Sequence, residues 1–387
     1  MDISQLQQIF QEQYGTSSQP MHCFFAPGRV NLIGEHIDYN GGFVFPAALS
    51  LGIYGMLRLR SDCIINLKSM NASLEVTVDL QQTIVYNIHD GWGNYPKGVI
   101  KHLLESGYSL GGYDILFSGN LPDGAGLSSS AAMLVLTAFM LRYAGGDSNI
   151  DRIELAQTCQ VVENEFIKVK CGIMDQFAVA MGQKDSAILL NCQTLKHKYI
   201  PFVLGEYCLV IMNTNKKREL AESKYNQRRD ECEQILALIR RQRPVDSLCQ
   251  VLLAEIKEYI EDEVLRRRAY HAVSENARVL LAAKRLEQGN IISFGSLMTE
   301  SHTSLRKDYE VTGLELDAIV DHALKAVGCI GARMTGAGFG GCAIALVERG
   351  MLEKFKLVVT QGYERDTGLT PEFYVADIVD GVKKIEC

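Results

Sequence analysis

Residues 121–146 read LPDGAGLSSSAAMLVLTAFMLRYAGG. A strand-like run, YDILFSGN (113–120), leads into Pro122-Asp123-Gly124-Ala125-Gly126, and three serines then open a run that is apolar on nearly every side. An apolar run of that length predicts a buried core helix from about Ser128 to Tyr143, closed by Gly145-Gly146. A helix start exposes unpaired N–H groups and about half a positive charge. Glycines let a ligand approach the backbone, and serine hydroxyls can cap the helix, donate to phosphate oxygens or ligate a divalent cation. The stretch therefore reads as an anion site, or else as a glycine turn with Ser128 as an ordinary cap.

It is not the GxxxxGK[ST] phosphate loop, which occurs nowhere in the chain. The run GAGFGG (336–341) matches the dinucleotide fingerprint GxGxxG, but that fingerprint opens a helix, whereas these glycines lead into the strand-like CAIALV (342–347). A glycine loop crossing a cleft is expected there.

A second stretch, APGRVNLIGEHIDYNGGFVFP (26–46), packs Arg29, Glu35, His36 and Asp38 among Val30, Leu32, Ile33 and Ile37. Pro27-Gly28 precedes the group, and Asn40-Gly41-Gly42 signals a turn after it. The pattern predicts a largely buried hairpin carrying either an ion-pair cluster or a site for a polyhydroxylated ligand. Asp175 lies in the apolar setting CGIMDQFAVA (171–180), where a carboxylate needs a partner. It reads equally as a functional acid and as a helix-start Asp. Glu163, close to Glu165 and Lys168, reads on local grounds as a surface or structural residue.

The chain has 387 residues, 47% hydrophobic and 22% charged, and carries a net charge of −7. That length predicts two domains, divided near Pro201 into 1–200 and 201–387. The acidic balance disfavours a nucleic-acid partner. No stretch is long and apolar enough to span a membrane. Eleven cysteines without a CxxC pair fit free thiols in a reducing, cytoplasmic setting. The N-terminus reads as an amphipathic helix rather than a signal peptide. Helices predominate in the second half, at 219–242, 251–261, 263–288, 291–306 and 314–327. Helices and strands mix without strict alternation, so the fold class is α+β.

These blocks together resemble one family. Residues 26–46 are similar to the N-terminal signature of galactokinases, LPDGAGLSSSAA to the second motif of the GHMP small-molecule kinases, and GARMTGAGFGGCAIALV to their third. CGIMDQ, NTNKKRELAESKYNQRR and LMTESHTSLRKDYEVT are also galactokinase-like, although the Lys pair ahead of Tyr225 looks inserted. The resemblance implies an N-terminal domain like the second domain of ribosomal protein S5, a ferredoxin-like C-terminal domain, and an active site between them. It implies phosphorylation of galactose on its anomeric oxygen, with ATP as donor and Mg²⁺ as cofactor, the entry step of galactose catabolism. It places Arg29 and Asp175 as catalytic residues, and Glu35, His36, Asp38, Gly172 and Tyr225 on the sugar. Gly124, Ala125, Gly126, Leu127, Ser128, Ser129 and Ser130 match the phosphate loop. Ser130 and Glu163 match the Mg²⁺ positions, and Ser69 a nucleotide-contacting serine. Trp92 is an adenine contact or a core residue. A monomer with no nucleic-acid or membrane partner is expected. The alternatives are a kinase for a related sugar and a non-catalytic galactose sensor, the latter disfavoured by the intact serine stretch.

Overall fold

The computed structural model describes residues 3–122, 125–216 and 221–386. Gly124 of the expected phosphate loop lies outside them, as do Lys217 and Arg218.

Three sheets organise the described residues. The hairpin foreseen around residues 29–49 is the centre of the largest. Strand Met21–Asn31 pairs antiparallel with Pro46–Leu59, in a register that sets Asn31 opposite Pro46 and Phe24 opposite Gly55. Tyr113–Gly119, Ile64–Ser69 and Ala72–Asp79 extend this sheet on one side, and Lys383–Ile385 closes it on the other. The division at 200/201 is therefore not a clean cut: the chain's last strand returns to the sheet of the first half.

The sheet is covered on both faces. The amphipathic helix Ile3–Tyr14 sets Leu6 and Phe10 against Cys23, Met56 and Leu116. Helix Ser129–Ala144 lies in the main core, with Ala131, Ala132, Leu134, Val135, Leu136, Ala138, Met140 and Leu141 all buried, as its apolar circumference requires.

A four-stranded antiparallel sheet, ordered Cys329–Met334, Cys342–Glu348, Tyr207–Asn213, Glu372–Val375, carries the second half. Helices Ile291–Ser304 and Gly313–Lys325 pack on its Cys329–Met334 strand, and Leu352–Thr367 packs beside them. A small third sheet joins Phe43–Val44, Ser186–Asn191 and His197–Pro201. The fold is the expected α+β arrangement of two domains. Of the helices foreseen in the second half, 219–242 is Ala221–Arg240 and 263–288 is Glu263–Glu287, while 251–261 shortens to Leu253–Tyr259.

Two helices end differently from expectation. The segment foreseen as one helix over 151–170 is an α-helix, Arg152–Val162, that widens into a π turn, Glu163–Ile167, and stops at left-handed Lys168. Ile291–Ser304 likewise widens into a π turn at Leu305–Tyr309 and stops at left-handed Glu310. No described helix is long and apolar enough to cross a membrane.

Candidate active site

The hairpin, the serine stretch, the Glu163 turn and the start of helix Met174–Met181 converge on one cavity of about 460 Å³. Tyr225, Gly336 and Ala337 close it from the second half.

At its centre Arg29 and Asp175 form a bidentate pair, although 146 positions separate them. Arg29 Nε donates to Asp175 Oδ1 at 2.8 Å and Nη2 to Oδ2 at 2.7 Å. Arg29 Nη1 donates to the Gly126 carbonyl at 2.8 Å, and the Arg29 backbone N–H to that of Leu127 at 3.1 Å. One arginine thus fastens both the acid and the serine stretch. Gly28 permits this: a Cβ there would stand 2.8 Å from the Leu127 carbonyl and 2.5 Å from the Leu121 side chain.

Ser128 corrects the plain-cap reading. It precedes helix Ser129–Ala144 in a left-handed conformation (φ 62°) and makes no side-chain cap bond. Its hydroxyl instead donates to Asp175 Oδ2 at 2.5 Å. Leu127 and Ala125 are buried, Ser129 is exposed, and Ser129 and Ser130 line the cavity.

The three polar residues after Arg29 differ from one another. Glu35 is 2% exposed. It accepts from Asn31 Nδ2, from Gly336 N–H at 2.6 Å, from Thr335 Oγ1 at 3.2 Å and from Arg333 Nη1 at 3.3 Å. Burial still pushes its carboxyl upward, against the pull of Arg333 and the Gly336 N–H. His36, at φ 62°, contacts the Ala337 carbonyl through Nε2 and the Tyr39 hydroxyl through Nδ1. Burial drives it down to about 3, so its ring is neutral. Asp38 is only partly covered, and burial followed by the charge of Asp175 raises it to about 6. Gly172 makes room for Asp38, since a Cβ there would stand 1.9 Å from Oδ2. Tyr225 sets its ring 5.6 Å from those of His36 and Tyr39.

Glu163 is not the surface residue its neighbours suggested. It continues the buried face of helix Arg152–Val162, four residues after buried Cys159, and its carboxylate accepts from Gln176 Nε2 at 2.5 Å. Burial raises its pKa, with the Ser130 hydroxyl the main opposing influence. The Gln176 amide oxygen beside it is buried without a partner. A carboxylate, a hydroxyl and an unclaimed amide oxygen are hard donors. Among the described residues no cluster of three His, Cys, Asp or Glu makes a metal cage. That set fits Mg²⁺, which keeps its waters and takes substrate phosphates.

Ser69 is not brought to this group. It ends its strand, and its hydroxyl accepts from the Asn71 N–H at 3.1 Å. Trp92 donates to the Leu74 carbonyl, packs edge-on to Phe117 and is not a cavity residue. Sequence reasoning missed Tyr39, Tyr309, Gln176 and Arg333. The only signals were adjacency to Asp38 and Asp175 for Tyr39 and Gln176, and membership of the quoted family blocks for Tyr309 and Arg333.

The chain is similar to known proteins along its whole length. Residues 8–59 match the galactokinase galactose-binding signature, 94–183 the N-terminal domain of GHMP kinases and 282–364 their C-terminal domain. The galactokinase of Clostridium tetani is 53% identical over 388 residues, spanning 100% of this chain and 98% of that protein. The galactokinase of Fusobacterium nucleatum is 49% identical, spanning 94% and 95%. The crystal structure of Lactococcus lactis galactokinase complexed with galactose superimposes with a TM-score of 0.95 at 44% identity, covering 99% of this chain and 100% of that one. The chain belongs to the galactokinase family of the GHMP kinases.

Proposed function

We propose that this cavity is where the chain phosphorylates galactose, with Asp175 taking the proton of the anomeric hydroxyl and Arg29 steadying the oxygen as it becomes an alkoxide. The observation that carries these roles is the bidentate Arg29–Asp175 pair, tied by the same guanidinium to the serine stretch. The activity is that of a sugar kinase. A bond forms between the anomeric oxygen and the γ-phosphorus of ATP, the bond to the β-bridging oxygen breaks, and ADP leaves.

Such transfers are loose, with little bonding to the nucleophile, so positioning and charge stabilisation carry most of the rate. Asp175 therefore need not be a strong base. Its two oxygens are engaged by Arg29 and Ser128. An arriving sugar hydroxyl takes the place of the Ser128 hydroxyl, which is then free to donate to phosphate. Gly126 to Ser130, at the start of helix Ser129–Ala144, hold phosphate oxygens by N–H groups and hydroxyls. Gly124 belongs to the same stretch. Ser130 and Glu163 would hold Mg²⁺, which supplies charge neutralisation on the phosphates.

On the sugar side Asp38 is the hydroxyl acceptor. Glu35 and His36 shape the wall, and Tyr225 covers the ring. Leaving a hydroxyl unmatched there costs about 1–3 kcal/mol, which is the source of epimer selectivity. The ten described cysteines are thiols, which supports a cytoplasmic setting.

A substrate panel tests the reading. With ATP, galactose should be turned over well ahead of glucose, arabinose and N-acetylgalactosamine, and ADP release should match sugar phosphate formed. Preference for another sugar in the panel refutes the specificity, and ADP release without sugar phosphate refutes the acceptor.

A further inference from the structure

The protein claims both ring nitrogens of His36. Nε2 lies 3.1 Å from the Ala337 carbonyl oxygen and Nδ1 lies 2.8 Å from the Tyr39 hydroxyl. The contacts continue inward. The Tyr39 and Tyr309 hydroxyls are 2.9 Å apart, Tyr309 is 3.1 Å from Cys232 Sγ, and Cys232 Sγ is 3.5 Å from Asn40 Nδ2.

Both ends of this chain have a fixed sense. A carbonyl oxygen only accepts, so Nε2 carries the proton, and in a neutral ring Nδ1 is then an acceptor. An amide NH₂ only donates, and the Asn40 amide is oriented by a second bond, from Nδ2 to the His36 carbonyl at 2.8 Å. Every group between must pass the same way. Cys232 donates to Tyr309, Tyr309 to Tyr39, and Tyr39 to His36 Nδ1.

We propose that Tyr39 and Tyr309 are positioning residues: they carry a one-way hydrogen-bond chain from Asn40 to Ala337 that holds His36 as its Nε2–H tautomer and so fastens the 336–341 loop to the sugar-side hairpin. This rests on the sugar-kinase reading of the cavity and assigns these tyrosines a part in it. The Nε2 bond to Ala337 and the Gly336 bond to Glu35 hold the same turn of that loop.

The chain's polarity makes its members unequal. Tyr39→Phe leaves Nδ1 a buried acceptor with no donor, and the flipped tautomer would set a bare Nε2 against a carbonyl. Tyr309→Phe leaves Tyr39 still donating to His36. Cys232→Ser keeps a donor that Cys232→Ala removes.

The full chain, labelled with ¹⁵N-histidine and free of substrates, tests this by NMR, with the His36 signals assigned through their loss in His36→Gln. A single Nε2–H tautomer is expected in the wild type and a mixture in Tyr39→Phe. In steady-state kinetics Tyr39→Phe should raise the galactose KM about tenfold, with the ATP KM and kcat changed by less than about threefold. Tyr309→Phe should lose less than Tyr39→Phe, and Cys232→Ser less than Cys232→Ala. An averaged or Nδ1–H tautomer in the wild type overturns the proposal, as does an unaltered galactose KM in Tyr39→Phe. Should Tyr39→Phe not fold, the wild-type tautomer and the galactose KM of Tyr309→Phe decide. A wild type that shows the tautomer but does not phosphorylate galactose overturns the enzymatic reading instead, so the two failures are distinguishable.

Discussion

Replacing Asp175 by Asn changes one oxygen to an NH₂ group and nothing else in volume. Arg29 now presents two donors to that carboxylate, from Nε and Nη2, and an amide can accept only one of them. The other meets an N–H. The third donor, Nη1 to the Gly126 carbonyl, is untouched, so the serine stretch keeps its anchor. Breaking a buried ion pair costs about 3–5 kcal/mol, but the Asp175 side chain is 29% exposed, which lowers the expected loss of stability to about 1–3 kcal/mol. Catalysis should suffer more. Loss of a positioned proton acceptor costs about 10²–10⁴ in kcat, or about 3–5 kcal/mol of barrier. Titration calorimetry with a non-hydrolysable ATP analogue separates the two effects. Nucleotide affinity should change by less than about threefold, while coupled-assay turnover collapses. If Asp175→Asn turned over galactose within tenfold of the parent, or lost nucleotide affinity in step with kcat, the base assignment would be wrong.

Gly172→Ala places a methyl where Asp38 Oδ2 stands, so the galactose KM should rise by at least about tenfold with nucleotide affinity spared; equal weakening of both substrates would mean the backbone had moved rather than Asp38. Ser130→Ala should raise the Mg²⁺ concentration needed for half-maximal rate and leave galactose binding unchanged, and an unaltered metal requirement would remove Ser130 from the metal site. Asp38, raised to about 6 against an unfolded value near 3.9, contributes stability that is full below about pH 4 and is lost as pH rises through about 6. Asp38→Asn should therefore gain thermal stability over the parent on going from pH 5 to 7.5, a difference in which the opposing titration of buried His36, His271 and His302 cancels; a gap independent of pH would mean that Asp38 titrates normally.

What the sequence disclosed about the site was residue chemistry, and what it withheld was phase and partner. The hairpin was legible because charged heads interrupt an apolar run between turn residues, a pattern that fixes pairing and burial together. The serine stretch was legible because a helix with no polar face has only its ends to offer a ligand. Glu163 was misjudged for a geometric reason. Local reading weighed its charged neighbours rather than helix phase: Glu163 lies four residues after Cys159 and seven after Ala156, both fully buried, so it continues the buried face of the helix before the π turn shifts the residues that follow. The strand Lys383–Ile385 was missed because three residues give no periodicity to read, and its pairing with Cys23–Phe25 joins chain ends that no local pattern connects. Glu35 shows a further limit. Its acid group suggested a sugar ligand, yet its oxygens are already taken by Asn31, Thr335, Gly336 and Arg333. Moving one of those bonds to a sugar hydroxyl would leave a buried donor without a partner, at about 1–3 kcal/mol. Asp38 is partly exposed, lines the cavity in the space Gly172 leaves, and has the Tyr39 backbone N–H as its support. On the proposed reading, discrimination at the sugar would therefore rest on Asp38, with Glu35 keeping the 336–341 loop in place behind it.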